Sequence, residues 1–216
     1  MPFRSVILDV DSTLAALEGI DWLALQRGPD VAARVAELTD RAMRGEIALD
    51  AVYGERLALV RPNRADLAAL AAAYEDATVP GACAALDRLR AAGVRVALVS
   101  GGIRQAIIPF AASLGVAPSD VHAVDVVVDM GGAYFAFDAG SPLATQTGKR
   151  AVAESLVAGG APRPLLAVGD GATDAAMRGA ADAFAAFTGV VRRESVVQHA
   201  DHEIATFDQL LELVLT

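Results

Sequence analysis

Short apolar runs recur along the chain, and each is followed by a polar or glycine-rich turn and then by a helix-compatible segment. This order is typical of parallel strands joined by helices. The sequence therefore predicts an α/β fold with a Rossmann-like parallel sheet. The runs that predict strands are residues 6–8, 94–99, 124–128, 165–168 and 183–187.

A long stretch between the first two predicted strands, residues 15–77, has helical periodicity and no strand signal. Turn residues at Gly28-Pro29, Arg44-Gly45 and Pro62 divide it into three or four helices. We expect these helices to form a helical-bundle cap. The cap would be inserted after the first strand into a core domain made of residues 1–14 and 78–216.

Aromatic residues indicate two further features. Tyr134, Phe135 and Phe137 alternate partly within residues 131–147, which favours a β-hairpin flap. In the cap, we expect the aromatic residues to pack the helices rather than to contact a ligand. These cap residues are Trp22, Tyr53 and Tyr74.

Charge and composition exclude several classes of partner. The formal charge is −9 and no lysine–arginine cluster occurs, which argues against nucleic acid because backbone binding needs a basic face. No run approaches the roughly 18 apolar residues of a membrane-spanning helix. The apolar run after Met1 ends at Asp9, too early for a secretion signal. We therefore expect no membrane partner.

The single cysteine, Cys83, cannot form an internal disulfide. This fits a cytoplasmic location, where thiols stay reduced. We expect it to be a buried structural thiol rather than a nucleophile.

Two aspartates, Asp9 and Asp11, lie just beyond the first predicted strand. Strand alternation would place both on one side of the chain, where one carboxylate can attack and the other can move protons. The alternative is a turn in which Asp11 or Ser12 caps a helix. Taken alone, the pair favours the turn.

Ser100, Gly101 and Gly102 follow the second predicted strand. We expect a helix to begin there, with free N–H groups and a dipole that favour a phosphate, while glycine allows close backbone approach. A plain strand-to-helix turn explains these residues equally well.

Asp170 and Asp174 flank a glycine-rich turn after the run 165–168. Sites built only from carboxylate oxygens suit Mg²⁺ rather than zinc. The alternative is a turn whose aspartates cap the following helix.

Lys149 is the only lysine among 18 lysine and arginine residues. A position that needed only positive charge would almost always be arginine in this chain. The lysine at position 149 therefore indicates that a compact ammonium group is required there, such as one that binds a phosphoryl group. The alternative is chance.

In this order, the four motifs resemble those of the haloacid dehalogenase superfamily. They are D-x-D-[ST]-[TV] at Asp9, the strand-end Ser100, Lys149, and G-D-G-x-x-D at Asp170. Within it, the chain is similar to the phosphoserine phosphatase group over nearly its whole length. The further matching segments are D-S-T-L followed by Glu18-Gly19-Ile20-Asp21, Met43-x-Gly45, Arg56, and V-S-G-G.

The resemblance implies a Mg²⁺-dependent phosphomonoester hydrolase that acts on a small phosphorylated metabolite. Asp9 would be the nucleophile that becomes phosphorylated, and Asp11 would protonate the leaving alkoxide and then activate water. The metal residues would be Asp9, Asp11 through its backbone carbonyl, Asp170, and Asp174 as the anchor of the loop.

The resemblance also implies how the substrate is bound. Ser100, the Gly101 backbone and Lys149 would hold the phosphoryl oxygens. Glu18 and Arg56 would bind the amino and carboxylate groups of phosphoserine. Gly102 is also expected in the substrate site.

Two alternatives remain beside phosphoserine hydrolysis. Thr173 stands where the family usually has asparagine, and the segment from Phe187 to Arg193 departs from the family pattern. The substrate could instead be phosphohomoserine, phosphocholine or a sugar phosphate, or the phosphoryl group could pass to another alcohol. The third hypothesis is a non-catalytic phosphometabolite-binding protein. A monomer and a homodimer are both compatible with the sequence.

Overall fold

The computed structural model describes residues 2–43, 47 and 49–216, and Gly45 of the matching segment lies outside them. Six strands form one parallel sheet, and two more form a separate antiparallel hairpin. The strands are β1 Ser5–Leu8, β2 Arg95–Ile103, β3 Val121–Val124, β4 Val126–Val128, β5 Tyr134–Phe137, β6 Leu165–Gly169, β7 Ala183–Phe187 and β8 His202–Ile204.

The main sheet has the order β3-β2-β1-β6-β7-β8, and the hairpin pairs β4 with β5. The described α-helices are α1 Gly19–Gln26, α2 Pro29–Met43, α3 Leu49–Val60, α4 Arg64–Asp76, α5 Ala82–Ala91, α6 Arg104–Ser113, α7 Gly148–Ala158, α8 Ala172–Ala175, α9 Glu194–Val197 and α10 Phe207–Leu215. The predicted α/β fold with a parallel sheet is confirmed.

The centre of the sheet explains why its strands read as continuous apolar runs. Every residue of β1 and β6 is buried, as expected for parallel strands that are covered on both faces. Leu8 lies opposite both Leu98 and Val168 in the register. Because these strands run parallel, the residues that follow them emerge at the same edge of the sheet.

Helices α1 to α4 lie between β1 and α5, where the sequence predicts the cap. The two connections to this segment run side by side: the Ala16 N–H donates to the Ala77 carbonyl at 2.8 Å, and the Val79 N–H to Leu14 at 2.9 Å. Helix α4 also packs on α6, with the rings of Tyr74 and Phe110 stacked 5.5 Å apart. The division into a cap and a core domain stays a prediction.

The run at residues 124–128 is not one strand, so that prediction is wrong. It divides at Asp125, where β3 ends in the main sheet and β4 turns into the hairpin with β5. The side chain of Gln105 stabilises this break in the strand. It accepts a hydrogen bond from the Val126 N–H at 3.0 Å and donates one to the Val126 carbonyl at 2.8 Å. The predicted hairpin is present and begins earlier than expected.

Two smaller differences have simple causes. Strand β8 was not predicted, because its three residues are mostly exposed and carry no apolar run. Cys83 is exposed, so the expectation of burial is wrong. The buried stripe of α5 consists of Ala82, Ala85, Leu86 and Leu89, and Cys83 lies off that stripe. Within the described ranges, no helix is both long and apolar enough to cross a membrane.

Candidate active site

A cavity of about 310 Å³ lies at the carboxyl edge of the central strands. Nine of the residues predicted for the site line it, and they come from five separate segments of the sequence. These nine are Asp9, Asp11, Glu18, Arg56, Gly101, Gly102, Lys149, Asp170 and Asp174. Ser100 is fully buried and does not line the cavity.

Three buried carboxylates form the base of the site. Asp9 follows β1, where its N–H donates to the Val168 carbonyl of β6 at 3.0 Å, and Asp170 follows β6. Asp174 lies in α8 and accepts a hydrogen bond from the Gly171 N–H at 2.9 Å. One oxygen from each carboxylate lies within 4.8 Å of the others. This buried set of oxygens fits a hard divalent cation such as Mg²⁺.

Lys149 lies among these carboxylates. Its Nζ is 2.7 Å from Asp9 Oδ1 and 2.6 Å from Asp174 Oδ1, and the side chain is 9% exposed. Burial lowers the pKa of Lys149, but the charges of Asp174 and Asp9 outweigh it and hold the pKa above its ordinary value. The lysine therefore stays protonated and partly balances the acidic cluster.

Asp9 itself has a pKa well above its ordinary range. Burial is the largest cause, and the neighbouring Asp174 adds to it, while Lys149 acts in the opposite direction. Close packing of carboxylates without enough positive charge is the electrostatic condition that a divalent cation relieves.

Asp11 is oriented by two donors from the helical segment between β1 and α5. Its Oδ1 accepts from the Tyr74 hydroxyl at 2.7 Å and from the Gly19 N–H at 2.9 Å. Burial and the nearby Glu18 raise the pKa of Asp11 to about 7, whereas the two hydrogen bonds act against this rise. A carboxyl group with this pKa can both give and take a proton near neutral pH.

The glycines beside Asp11 leave room for it. A Cβ on Gly102 would lie 3.0 Å from Asp11 Oδ2 and 2.9 Å from Ile107 Cδ1. A Cβ on Gly19 would lie 2.2 Å from the Tyr74 hydroxyl. The second carboxylate oxygen of Asp11 therefore lies against Gly102, whereas the first accepts the bonds from Tyr74 and Gly19.

The turn after residue 99 differs from the prediction. Strand β2 continues through the glycines to Ile103, with an irregular register after Val99, and α6 begins at Arg104. The expected helix start at Ser100 and Gly101 is therefore wrong. Ser100 Oγ accepts from the Gly102 N–H at 2.9 Å, which fixes the backbone of this segment.

Glu18 and Arg56 both reach the cavity from the helical segment. Glu18 is 47% exposed in its side chain and accepts from the Ser12 hydroxyl at 2.7 Å. Arg56 is 15% exposed and pairs with Asp21 at 2.5 Å. The structure thus brings one acid and one guanidinium to the same cavity as the carboxylate cluster.

Two residues that were not predicted for the site contact its carboxylates. Arg193 forms an ion pair with Asp170 and approaches Glu18 to 3.9 Å. Tyr74 packs on Phe110 as expected of a core residue, but its hydroxyl also binds Asp11. The signal for Arg193 was its place in the loop after β7, since such loops lie at the carboxyl edge of the sheet. Tyr74 carries no comparable signal.

A parallel α/β sheet with paired aspartates, an acidic cluster and a buried lysine at its carboxyl edge is compatible with a hydrolase that uses a carboxylate nucleophile. The model of the haloacid dehalogenase-like hydrolase family matches residues 6–178, and the chain belongs to this family.

Individual relatives make the similarity more specific. The chain is 37% identical over 207 residues to the phosphoserine phosphatase of Homo sapiens, covering 96% of this chain and 91% of the relative. It is 34% identical over 209 residues to that of Halobacterium salinarum, covering 95% and 94%. A solved substrate-bound phosphoserine phosphatase complex has a TM-score of 0.80 at 25% identity, covering 99% of each chain.

An added methyl group should have different effects at the two adjacent glycines of this site, Gly101 and Gly102. Gly102→Ala should lower the free energy of unfolding by about 1–3 kcal/mol, because its Cβ would crowd Asp11 and Ile107. Gly101→Ala is the matched control, since its Cβ would meet the Leu143 carbonyl at an ordinary 3.5 Å. Urea unfolding of both variants measures the difference, and equal destabilisation would contradict the crowding of Asp11.

Proposed function

We propose that this chain hydrolyses O-phosphoserine to serine and phosphate through a phosphorylated Asp9. The observation that carries the proposal is the convergence of Asp9, Asp11 and Lys149 on one cavity that Glu18 and Arg56 also line. Hydrolysis of a phosphomonoester agrees with the family, and phosphoserine is the substrate in the names of its relatives.

In the first step, a carboxylate oxygen of Asp9 attacks phosphorus and the bond from phosphorus to the serine oxygen breaks. Asp11 gives its proton to the departing serine oxygen, and an acyl phosphate is left on Asp9. In the second step, water attacks phosphorus while Asp11 takes a proton from it. Phosphate leaves and both aspartates return to their starting states.

The other site residues bind and position the reacting group. Lys149 and the Gly101 N–H bind the phosphoryl oxygens, while Ser100 holds the backbone of this segment in place. Arg56 binds the substrate carboxylate, and Glu18 binds the ammonium group.

Mg²⁺ is the cofactor that we propose for this chemistry. The residues that would hold it are Asp9, Asp170 and the Asp11 backbone carbonyl, with Asp174 fixing the loop. When bound, the ion would neutralise charge on the transferring phosphoryl group. A cytoplasmic location and a monomeric or homodimeric state stay predictions.

Asp9→Asn should abolish phosphate release from phosphoserine, with a loss of at least about 1,000-fold, because the amide cannot attack phosphorus. After acid quenching with labelled substrate, the native protein should retain protein-bound phosphate and the variant should not. Asp87→Asn is the control, because Asp87 is 70% exposed on α5. Equal turnover of many unrelated phosphomonoesters would contradict the substrate assignment.

Adding Mg²⁺ should stabilise the protein as well as activate it. At about 100 times its dissociation constant, the ion should add about 2.7 kcal/mol to the free energy of unfolding. Asp170→Asn should lose most of the resulting rise in melting temperature, and Asp87→Asn should keep it. The same rise in both variants would place the metal elsewhere.

Tyr74→Phe should reduce kcat/KM for phosphoserine about tenfold, because Asp11 loses a bond that orients it for proton transfer. The loss should be smaller with p-nitrophenyl phosphate, whose leaving group departs without a proton. Tyr134→Phe, which removes a hydroxyl from the hairpin, is the control. An equal loss with both substrates would contradict a role for Tyr74 in protonation of the leaving group.

A further inference from the structure

Tyr53 and Arg56 lie one turn apart on helix α3, and both line the cavity. Residues three apart on a helix share a face, so the two side chains approach the site from the same direction. Tyr53 is 7% exposed, although its hydroxyl makes it a poor choice for filling apolar space. A leucine or phenylalanine would fill the same space without burying a polar atom.

Each of the two side chains has a buried polar atom that lacks a partner in the described part of the chain. These atoms are the Tyr53 hydroxyl and Arg56 Nε. The Arg56 guanidinium also pairs with Asp21 through Nη2, which sets its orientation. Its Nε–H still has no acceptor among the described residues. Buried donors without acceptors are rare in proteins, and two on one face of one helix indicate an acceptor that the chain itself does not supply.

We propose that Tyr53 is a specificity-determining residue that donates a hydrogen bond to the substrate carboxylate beside Arg56. The inference rests on the proposed function. It adds Tyr53 to Arg56 as a second hydrogen-bond donor to the substrate carboxylate. A carboxylate has two oxygens, so it can accept from a phenol and a guanidinium at once. Glu18, which lines the same cavity, supplies the opposite charge for the ammonium group.

The environment of Tyr53 keeps its hydroxyl in place and protonated. Its ring lies 5.4 Å from the ring of Phe137 on strand β5, so the hairpin restricts the ring from one side. Burial raises the pKa of Tyr53 above its ordinary value, although Arg56 acts against the rise. The group is therefore a neutral donor, which complements the charge of Arg56 without adding to it.

The test compares phosphoserine with phosphoethanolamine, which has the same phosphate and ammonium groups but no carboxylate. The measured quantity is the ratio of kcat/KM for phosphoserine to kcat/KM for phosphoethanolamine. In Tyr53→Phe this ratio should fall about tenfold, the value of a hydrogen bond to a charged group. The fall should appear mainly in KM for phosphoserine, because the bond is made equally in the bound substrate and in the transition state.

Tyr134→Phe is the matched control. It removes one hydroxyl from a tyrosine of the hairpin that does not line the cavity, and its ratio should equal that of the native protein. Tyr53→Phe keeps the ring against Phe137, so packing is preserved. A loss shared equally by both substrates, or a ratio within twofold of the native ratio, would overturn the inference.

Failure of the inference and failure of the proposed function give different results. If the native protein strongly prefers phosphoserine and Tyr53→Phe keeps that preference, phosphoserine hydrolysis stands and Tyr53 is a packing residue. If the native protein has no preference for phosphoserine, the substrate assignment itself is wrong and the inference falls with it.

Discussion

The site depends on one constraint, which is that several carboxylates are buried together around one ammonium group. Asp9, Asp170 and Asp174 lose most of their contact with water, and such charges are costly unless they are paired. Lys149 pairs with two of them and Arg193 with the third. The protein accepts this cost at the carboxyl edge of its sheet, where the proposed reaction would use the concentrated charge.

This constraint also explains why the site residues come from distant parts of the sequence. Parallel strands β1 and β6 end together, with Leu8 opposite Val168, so Asp9 and Asp170 follow them at the same edge of the sheet. Helix α7 then has to bring Lys149 close to both loops. Gly148 makes this approach possible, because a Cβ there would lie 1.7 Å from the Pro142 carbonyl oxygen. The position before the lysine is therefore restricted to glycine.

Much of this arrangement could be predicted from the sequence. Buried parallel strands give unbroken apolar runs, and residues after such runs meet at one edge, so Asp9, Asp170 and the glycines near Ser100 could be placed together. Lys149 stood out because arginine fills every other basic position. The roles of these residues stay predictions, although the structure brings their side chains to one cavity.

Contacts made by ordinary packing residues could not be predicted. Tyr74 and Tyr53 look like any aromatic residue on an apolar helix face, and the surroundings of their hydroxyl groups depend on how α3 and α4 pack in the fold. The division at Asp125 depends on the side chain of Gln105, which lies about twenty residues away in sequence. The hydrophobic periodicity of a sequence indicates which face of a helix or strand is buried. It does not indicate which atom a polar side chain contacts there.

The hydrogen bonds of Asp11 link the chemistry to the position of the inserted helices. One of its donors begins α1 and the other lies near the end of α4, so both ends of the segment meet at a single carboxyl group. Any movement that lifted these helices from the sheet would break both bonds at once. Asp11, which we propose transfers protons, would then be correctly oriented only while these helices lie on the sheet, and water entering an open site would meet a misplaced carboxyl group.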